Sequence, residues 1–240
     1  KKVLGALKWA VSEMDRRYDI LSKSASKDVF SYNAKVAEKI GKGNDDAQVM
    51  PFIVIVIDEL ADLMASYGRD VEAAIVRLAQ MSRAVGIHLI LSTQRPSVEV
   101  ITGLIKANVP TRITFQVASQ VDSRTVIDTS GAEKLLGAGD MLFSSSKSAK
   151  ISRIQGPYIS EKEVKKVTDH CVEQGKKIEE HQSVMAQSLA ESLERSEAIG
   201  KEGGGETFFG DDDPLFEQVK QIVLETKKAS ASFLQRRLRI

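Results

Sequence analysis

Cysteine is nearly absent: Cys171 stands alone among 240 residues. A single thiol excludes an intramolecular disulfide and any metal site built on several cysteines, and it fits a reducing compartment. Histidine is as sparse, and His88, His170 and His181 lie too far apart for ligand spacing. His88, inside GIHLIL, is expected to be a packed strand residue. An excess of either charge is missing too. Thirty-four basic against thirty-three acidic residues leave +1, so any surface for nucleic acid has to be local. No apolar run reaches the roughly 20 residues of a membrane span, and none has the pattern of a secretory signal. The phosphate-cradling pattern GxxxxGK[ST] is absent as well; GKGND and GKEGGGET have neither its spacing nor a strand before it. What remains is ordinary for a folded protein, 42% apolar and 28% charged, with length for one full domain and a small second one.

The most informative stretch is PFIVIVIDELADLM at 51–64. Its unbroken, mostly β-branched run at 52–57 predicts a strand buried on both faces, as in the middle of a parallel sheet. The run ends at Asp58-Glu59, where open α/β sheets place their ligand crevice. In a nucleoside-triphosphatase the first carboxylate of such a pair holds Mg²⁺ through water, and the second orients or deprotonates the attacking water. The same two residues also suit a strand end followed by a helix start.

The rest of the chain frames that stretch. Leu4, Leu7, Val11, Met14 and Tyr18 recur at helical spacing and predict a core-facing helix over 3–18. Arg16, Arg17, Lys23 and Lys27 read as a solvated basic face, and another short helix is expected from Ser31 to Ile40. Val71, Ile75, Leu78, Ala79 and Ser82 predict a helix over 71–85, with Gly86 suited to a left-handed cap. A second apolar run at 87–91 ends in Ser92-Thr93-Gln94-Arg95-Pro96. Strand, helix and strand make a βαβ unit, and its right-handed crossover brings Thr93 and Gln94 to the sheet edge of Asp58 and Glu59. There they could sense a γ-phosphate, or merely cap the strand.

Beyond Pro96, a helix is expected around Val98 to Ile105, a strand at 112–118 and a short helix at 122–128. A hairpin with strands near 141–143 and 151–155 follows, then a helix opened by the capping box Ser160-Glu161-Lys162-Glu163. Composition changes at 176–213, which reads as a flexible linker. Residues 214–240 then predict two short helices of growing basicity, the opening of a helix-turn-helix unit. Lys1 is not Met and Ile240 falls within a basic amphipathic stretch, so both ends are expected to be cut ends of a longer protein.

IVIVIDELADLM, SRAVGIHLILSTQRPSVEVITGLIKANVPTRI, DSRTVID and GAEKLLGAGDML resemble, in order and spacing, the motor domain of the FtsK/SpoIIIE DNA translocases. ALKWAVSEMDRRYDIL and Tyr32-Asn33 extend the likeness, and the tail resembles the first half of that family's winged-helix domain. The resemblance implies an α/β fold, the Walker B half of a RecA-like P-loop NTPase core with a mostly parallel sheet. It assigns 1–175 to a motor fragment, 176–213 to a linker and 214–240 to a truncated winged helix. ATP and Mg²⁺ are the implied cofactors. The implied partners are double-stranded DNA, five further copies in a homo-hexameric ring, and division-site or recombination proteins reached through regions outside this chain. The motor portion is expected in the cytoplasm, on a protein anchored in the cell membrane.

Residue by residue, the resemblance makes Asp58 the magnesium carboxylate and Glu59 the catalytic base, with Thr93 and Gln94 in the sensor segment. Arg83 matches an arginine finger reaching the neighbouring subunit's γ-phosphate, a task suited to a permanently charged guanidinium. As a helix-end cation it also fits a plain solvated role. Arg95 and Lys106 bracket the pore-loop segment and are assigned phosphate-backbone contacts that read no bases; simple surface charge is the alternative. Gln120 stands where some members carry Lys, and Lys27-Asp28 replaces a more usual Arg-Asn pair. The family places its phosphate loop upstream of Lys1, so this chain alone is expected to be inactive. Two rivals stay open: a related conjugative coupling ATPase, and a DNA-binding or assembly module whose carboxylates are only structural.

Overall fold

The N-terminal apolar stripe forms helix α1, Lys2–Lys23, in a computed structural model that describes residues 2–42, 49–146, 148–176, 188–191 and 193–194. Its buried stripe runs through Leu7, Ala10, Val11, Met14 and Leu21, and Arg17 lies on the same face. Arg17 was expected on a solvated face, yet its side chain is 0% exposed. Its Nε donates to Glu13 Oε1 at 2.7 Å, and its Nη1 donates to the Pro51 and Val85 carbonyls at 2.8 Å each. A guanidinium is buried only when paired and hydrogen-bonded, and here the pairing comes from its own helix and from the lead-ins to two strands. Burial pushes the Glu13 carboxyl up, but hydrogen bonds from Arg16 and Arg17 outweigh it and leave the group below its ordinary range.

Helix α2, Val29–Gly41, starts two residues earlier than the sequence suggested, because Asp28 rather than a later residue caps it. The Asp28 carboxylate accepts from Ser31 N at 2.8 Å, and the Ser31 hydroxyl accepts from Asp28 N in return. This reciprocal cap gives Asp28 a structural job of its own. Asn33 clasps Met50 through both its amide atoms, at 2.9 and 2.8 Å, and so fixes the approach to the first strand.

Strand β1, Ile53–Ile57, and strand β2, Ile87–Leu91, pair in parallel with Ile53 opposite Ile87 and Ile57 opposite Leu91. Between them runs α3, Leu60–Met81, a 22-residue helix that begins well before the expected 71–85 and ends short of it. It is kinked at Tyr67, whose backbone is non-helical (φ −144°, ψ 32°) just before Gly68. Val71, Ala74, Ile75 and Leu78 bury against α1 and β2. The helix is tied to α1 by Arg77 on Asp15 at 2.7 Å and by the Tyr18 hydroxyl on the Met81 carbonyl at 2.6 Å. Gly86 takes the expected positive φ, +74°, but it does not cap α3, whose C-cap is Ser82; it turns the chain into β2, and a Cβ there would come within 3.1 Å of Phe52 and Val29.

One expectation for the sheet fails. Val54, Val56 and Ile90 are 54–63% exposed, because α1 and α3 cover one face and no described residue covers the other. His88, expected to be packed, lies exposed on that open face and stacks on Phe52 with ring centroids 6.0 Å apart.

The remaining strands form a separate antiparallel sheet, β3 (Arg112–Thr114), β4 (Asp140–Ser145) and β5 (Ser148–Gln155), in the order β3-β4-β5. β4 and β5 are the expected hairpin. Before them come α4, Gly103–Asn108, and α5, Gln120–Ile127. After β5 follows α6, Glu161–Gly175, opened by the expected Ser160–Glu163 box. Buried Asp140 holds the sheet's start: Arg153 donates to it twice, at 3.0 and 2.7 Å, and Leu136 N once, at 2.8 Å. Of the expected linker, Lys176 and residues 188–191 and 193–194 are described; the last six are helical, and Trp9 Nε1 donates to Ser188 Oγ at 3.2 Å. The loop at 43–48 and the expected winged helix at 214–240 lie outside the described residues.

Two outcomes follow from the buried charges. Arg17→Ala leaves the Pro51 and Val85 carbonyls without their donor and Glu13 with Arg16 alone, and is expected to cost about 3–5 kcal/mol of unfolding free energy in urea; a loss under about 1 kcal/mol would contradict the anchor. The Arg153 hydrogen bonds, then that of Leu136, lower the Asp140 carboxyl to about 2. A depressed carboxylate contributes stability that is present above its unfolded pKa and lost as pH falls through the folded one. Asp140→Asn should therefore flatten the acid limb of a melting-temperature profile between the ordinary value of 3.8 and about 2.

Candidate nucleotide site and nucleic-acid segment

The parallel register decides which side chains meet. β1 and β2 end in step, and the ladder runs on past them: Ser92 N donates to the Ile57 carbonyl and Leu60 N to the Ser92 carbonyl, both at 2.8 Å. This places Glu59 and Thr93 side by side at the carboxyl edge. The Thr93 hydroxyl donates to Glu59 Oε1, the Gln94 backbone N–H donates to Oε2 at 3.0 Å, and Ala61 N donates to Oε1 at 3.1 Å. Glu59 is thus also the N-cap of α3. The Thr93 hydrogen bond first, then those of Gln94 and Ala61, hold its carboxyl below the ordinary glutamate range. Such a carboxylate is ionised at neutral pH and fixed in direction, suited to orienting a water molecule by accepting its hydrogen bond.

Asp58, one residue earlier, is exposed, with no side-chain hydrogen bond among the described residues. Its hard oxygens at the strand end fit Mg²⁺, which keeps several waters and takes one or two carboxylates plus substrate phosphates. No cluster of three or more acidic, His or Cys residues among the described residues could hold a metal without such phosphates.

Arg83 lies elsewhere. It follows the Ser82 C-cap of α3 and precedes β2, so it sits at the opposite edge of the sheet from Glu59. Five strand residues separate the two edges, about 16 Å at the usual rise. Its side chain is exposed and has no partner among the described residues. Within one copy it cannot meet a phosphate held beside Glu59.

Both cations assigned to nucleic acid face carboxylates. Arg95 makes a loose, exposed pair with Asp62 at 3.7 Å. Lys106 donates to Asp128 at 2.8 Å, and Arg112 holds the other oxygen of Asp128 at 2.7 Å. The intervening segment is tethered to α3, since the Thr102 hydroxyl, the N-cap of α4, donates to Glu72. Sequence reasoning missed Glu72, Thr102, Arg112 and Asp128. The only available signal was the position of Asp128 as the last residue of DSRTVID.

Two solved structures share this fold. The conjugation coupling protein TcpA from pCW3, solved with ATPγS, superposes with TM-score 0.58 at 32% identity, over 68% of this chain and 46% of its own. The cytoplasmic domain of the Thermomonospora curvata type VII secretion ATPase EccC gives 0.53 at 24% identity, over 66% of this chain and 18% of its own. The chain therefore has a RecA-like α/β core. A model of the FtsK/SpoIIIE family matches residues 1–98, and one of the Ftsk gamma domain matches 210–240. DNA translocase FtsK of Oceanobacillus iheyensis is 47% identical over all 240 residues, and that of Leptospira interrogans 49%. The chain belongs to the FtsK/SpoIIIE family. It spans 29% and 24% of those two relatives' lengths.

The Glu59 cradle makes a direct prediction. Thr93→Val removes its largest hydrogen bond and should raise the Glu59 midpoint towards the ordinary range in a carboxyl ¹³C NMR titration. The stability this carboxylate contributes would then begin to fade at a higher pH on acidification. An unmoved midpoint would mean that Thr93 does not hold the charge.

Proposed function

We propose that this chain is the Walker B part of a motor that uses ATP to move double-stranded DNA, serving chromosome segregation at division or sporulation. The observation that carries the reading is the Glu59 carboxylate, fixed by Thr93 and Gln94 beside a free Asp58 at the carboxyl edge of parallel strands. When bound, Mg²⁺ would be held at Asp58 through water and would neutralise phosphate charge. Glu59 would orient the attacking water. Arg83, at the far edge, would serve the site of the next copy in a homo-hexameric ring, an arrangement that makes a neighbouring copy necessary rather than incidental. Arg95 and Lys106 would bear on the DNA backbone. In this reading 1–175 is motor, 176–213 linker and 214–240 the start of a winged helix, the last supported by the gamma-domain match. The intact protein would be anchored in the cell membrane with this part on the cytoplasmic side, and its other regions would meet division-site or recombination proteins. No helix among the described residues is long and apolar enough to cross a membrane.

The conjugative rival has support from the TcpA likeness, but identity there is 32% over part of the chain against 47% over all of it for a translocase. In the full-length protein, Glu59→Gln should lower DNA-stimulated ATP hydrolysis by about 10²- to 10⁴-fold while nucleotide binding persists. Cellular DNA transport left intact by Glu59→Ala would favour a non-catalytic DNA-binding module instead. The chain by itself is expected not to hydrolyse ATP.

Arg83→Ala should be as inactive as a lost arginine finger, about 10³-fold down. Mixing Arg83→Ala with Glu59→Gln subunits should restore roughly a quarter of the sites by random pairing, because each variant supplies what its neighbour lacks. No recovery on mixing would exclude action between copies.

A further inference from the structure

The surroundings of Lys106 carry more than a phosphate contact. Its ammonium is not free: α4 presents it to Asp128 Oδ1 at 2.8 Å, and the side chain is only 24% exposed. Arg112, at the start of β3, occupies the other carboxylate oxygen, Oδ2, at 2.7 Å and is 18% exposed. Two cations therefore share one carboxylate through separate oxygens. Asp128 itself is set by the backbone, not by those partners. It closes α5 in the left-handed conformation, φ 62°, with its N–H donated to the Arg124 carbonyl. Its side chain remains 54% exposed, so water can reach the carboxylate.

Breaking a buried ion pair is costly chiefly because it strands a charge. Sharing removes that cost. If Lys106 leaves Oδ1 for another anion, Asp128 keeps Arg112, and Oδ1 turns to water. Arg112 has no such freedom: its Nε and Nη1 are buried without hydrogen-bond partners among the described residues, and Asp128 is the anion that its charge faces. The arrangement has one fixed pair and one exchangeable cation.

We propose that Asp128 is a positioning residue for the DNA contact of Lys106: it holds the ammonium in the DNA-free state and releases it to a backbone phosphate, while Arg112 keeps the carboxylate in place. The inference rests on the reading of Lys106 as a phosphate contact. In the free protein the carboxylate competes with DNA, which weakens resting grip and lets the segment release one phosphate before taking the next. Thr102 on Glu72 fixes the start of the same short helix, so exchange at Lys106 is a side-chain event that needs no unfolding of α4.

The test uses the full-length protein with a non-hydrolysable ATP analogue and a fluorescent random-sequence duplex, titrated at several KCl concentrations. Lys106→Gln should weaken binding and reduce the salt slope by about one. Asp128→Asn preserves the left-handed residue preference and should bind about two- to fivefold more tightly than wild type. In the Lys106→Gln background it should have no effect. Asp128→Asn that binds no more tightly than wild type, or that tightens binding equally without Lys106, would overturn the proposal. Lys106→Gln with unchanged affinity and slope would instead overturn the DNA reading on which it rests. A second measurement needs no variant: carbodiimide labelling of Asp128, read by mass spectrometry, should rise when duplex is added, because Lys106 has left it. Labelling that stays constant or falls would show that the pair does not exchange.

Discussion

A single buried guanidinium sets the geometry of the described core. Arg17 reaches from the middle of α1 to the Pro51 and Val85 carbonyls, each two residues ahead of its parallel strand. Those two bonds hold the two entrances at one depth, and the register Ile53 opposite Ile87 follows. Because both strands are five residues long, their exits are level as well, and Glu59 comes to lie against Thr93. A charge at one edge of the sheet thus determines which side chains meet at the other. Its cost is met by Glu13, whose carboxylate takes both Arg16 and Arg17.

The same frame explains why the acidic site has its particular chemistry. Glu59 is at once the N-cap of α3 and the acceptor for the threonine after β2, so the strand pair, the helix and the carboxylate are one hydrogen-bonded unit. α3 then carries that unit towards Glu72, which receives Thr102 at the start of α4. The kink at Tyr67 lies between the two. The candidate nucleotide edge and the cationic segment are therefore joined by one helix with one irregular point. In the proposed motor, this connection would link hydrolysis to displacement.

Much of the architecture was legible from residue order. The βαβ unit, the left-handed backbone at Gly86, the hairpin and the Ser160 box are local: each is dictated by apolar period, by glycine's access to positive φ or by a capping side chain within a few residues. The meeting of Asp58-Glu59 with Thr93-Gln94 was legible too, because parallel strands with a right-handed crossover bring their carboxyl ends together whatever lies between. The misreadings have equally physical causes. Arg17 was taken for solvent-facing because a sequence shows charge but not the carbonyls that wait for it 34 and 68 residues away. Val54, Val56 and His88 were taken for packed because a continuous apolar strand reports what its faces can bury, whereas coverage depends on which elements are there to cover them.

By itself the sequence determined the class of fold, the family and the carboxylates at the strand end, since these rest on periodicity and on motifs contiguous in the chain. Only the tertiary structure decided that Glu59 is capped and lowered by Thr93, that Arg83 stands at the wrong edge for its own site, and that Lys106 shares Asp128 with Arg112. Each of these is a relation between residues far apart along the chain. Charge partnership depends on distances of a few ångströms, and only the folded packing sets those distances.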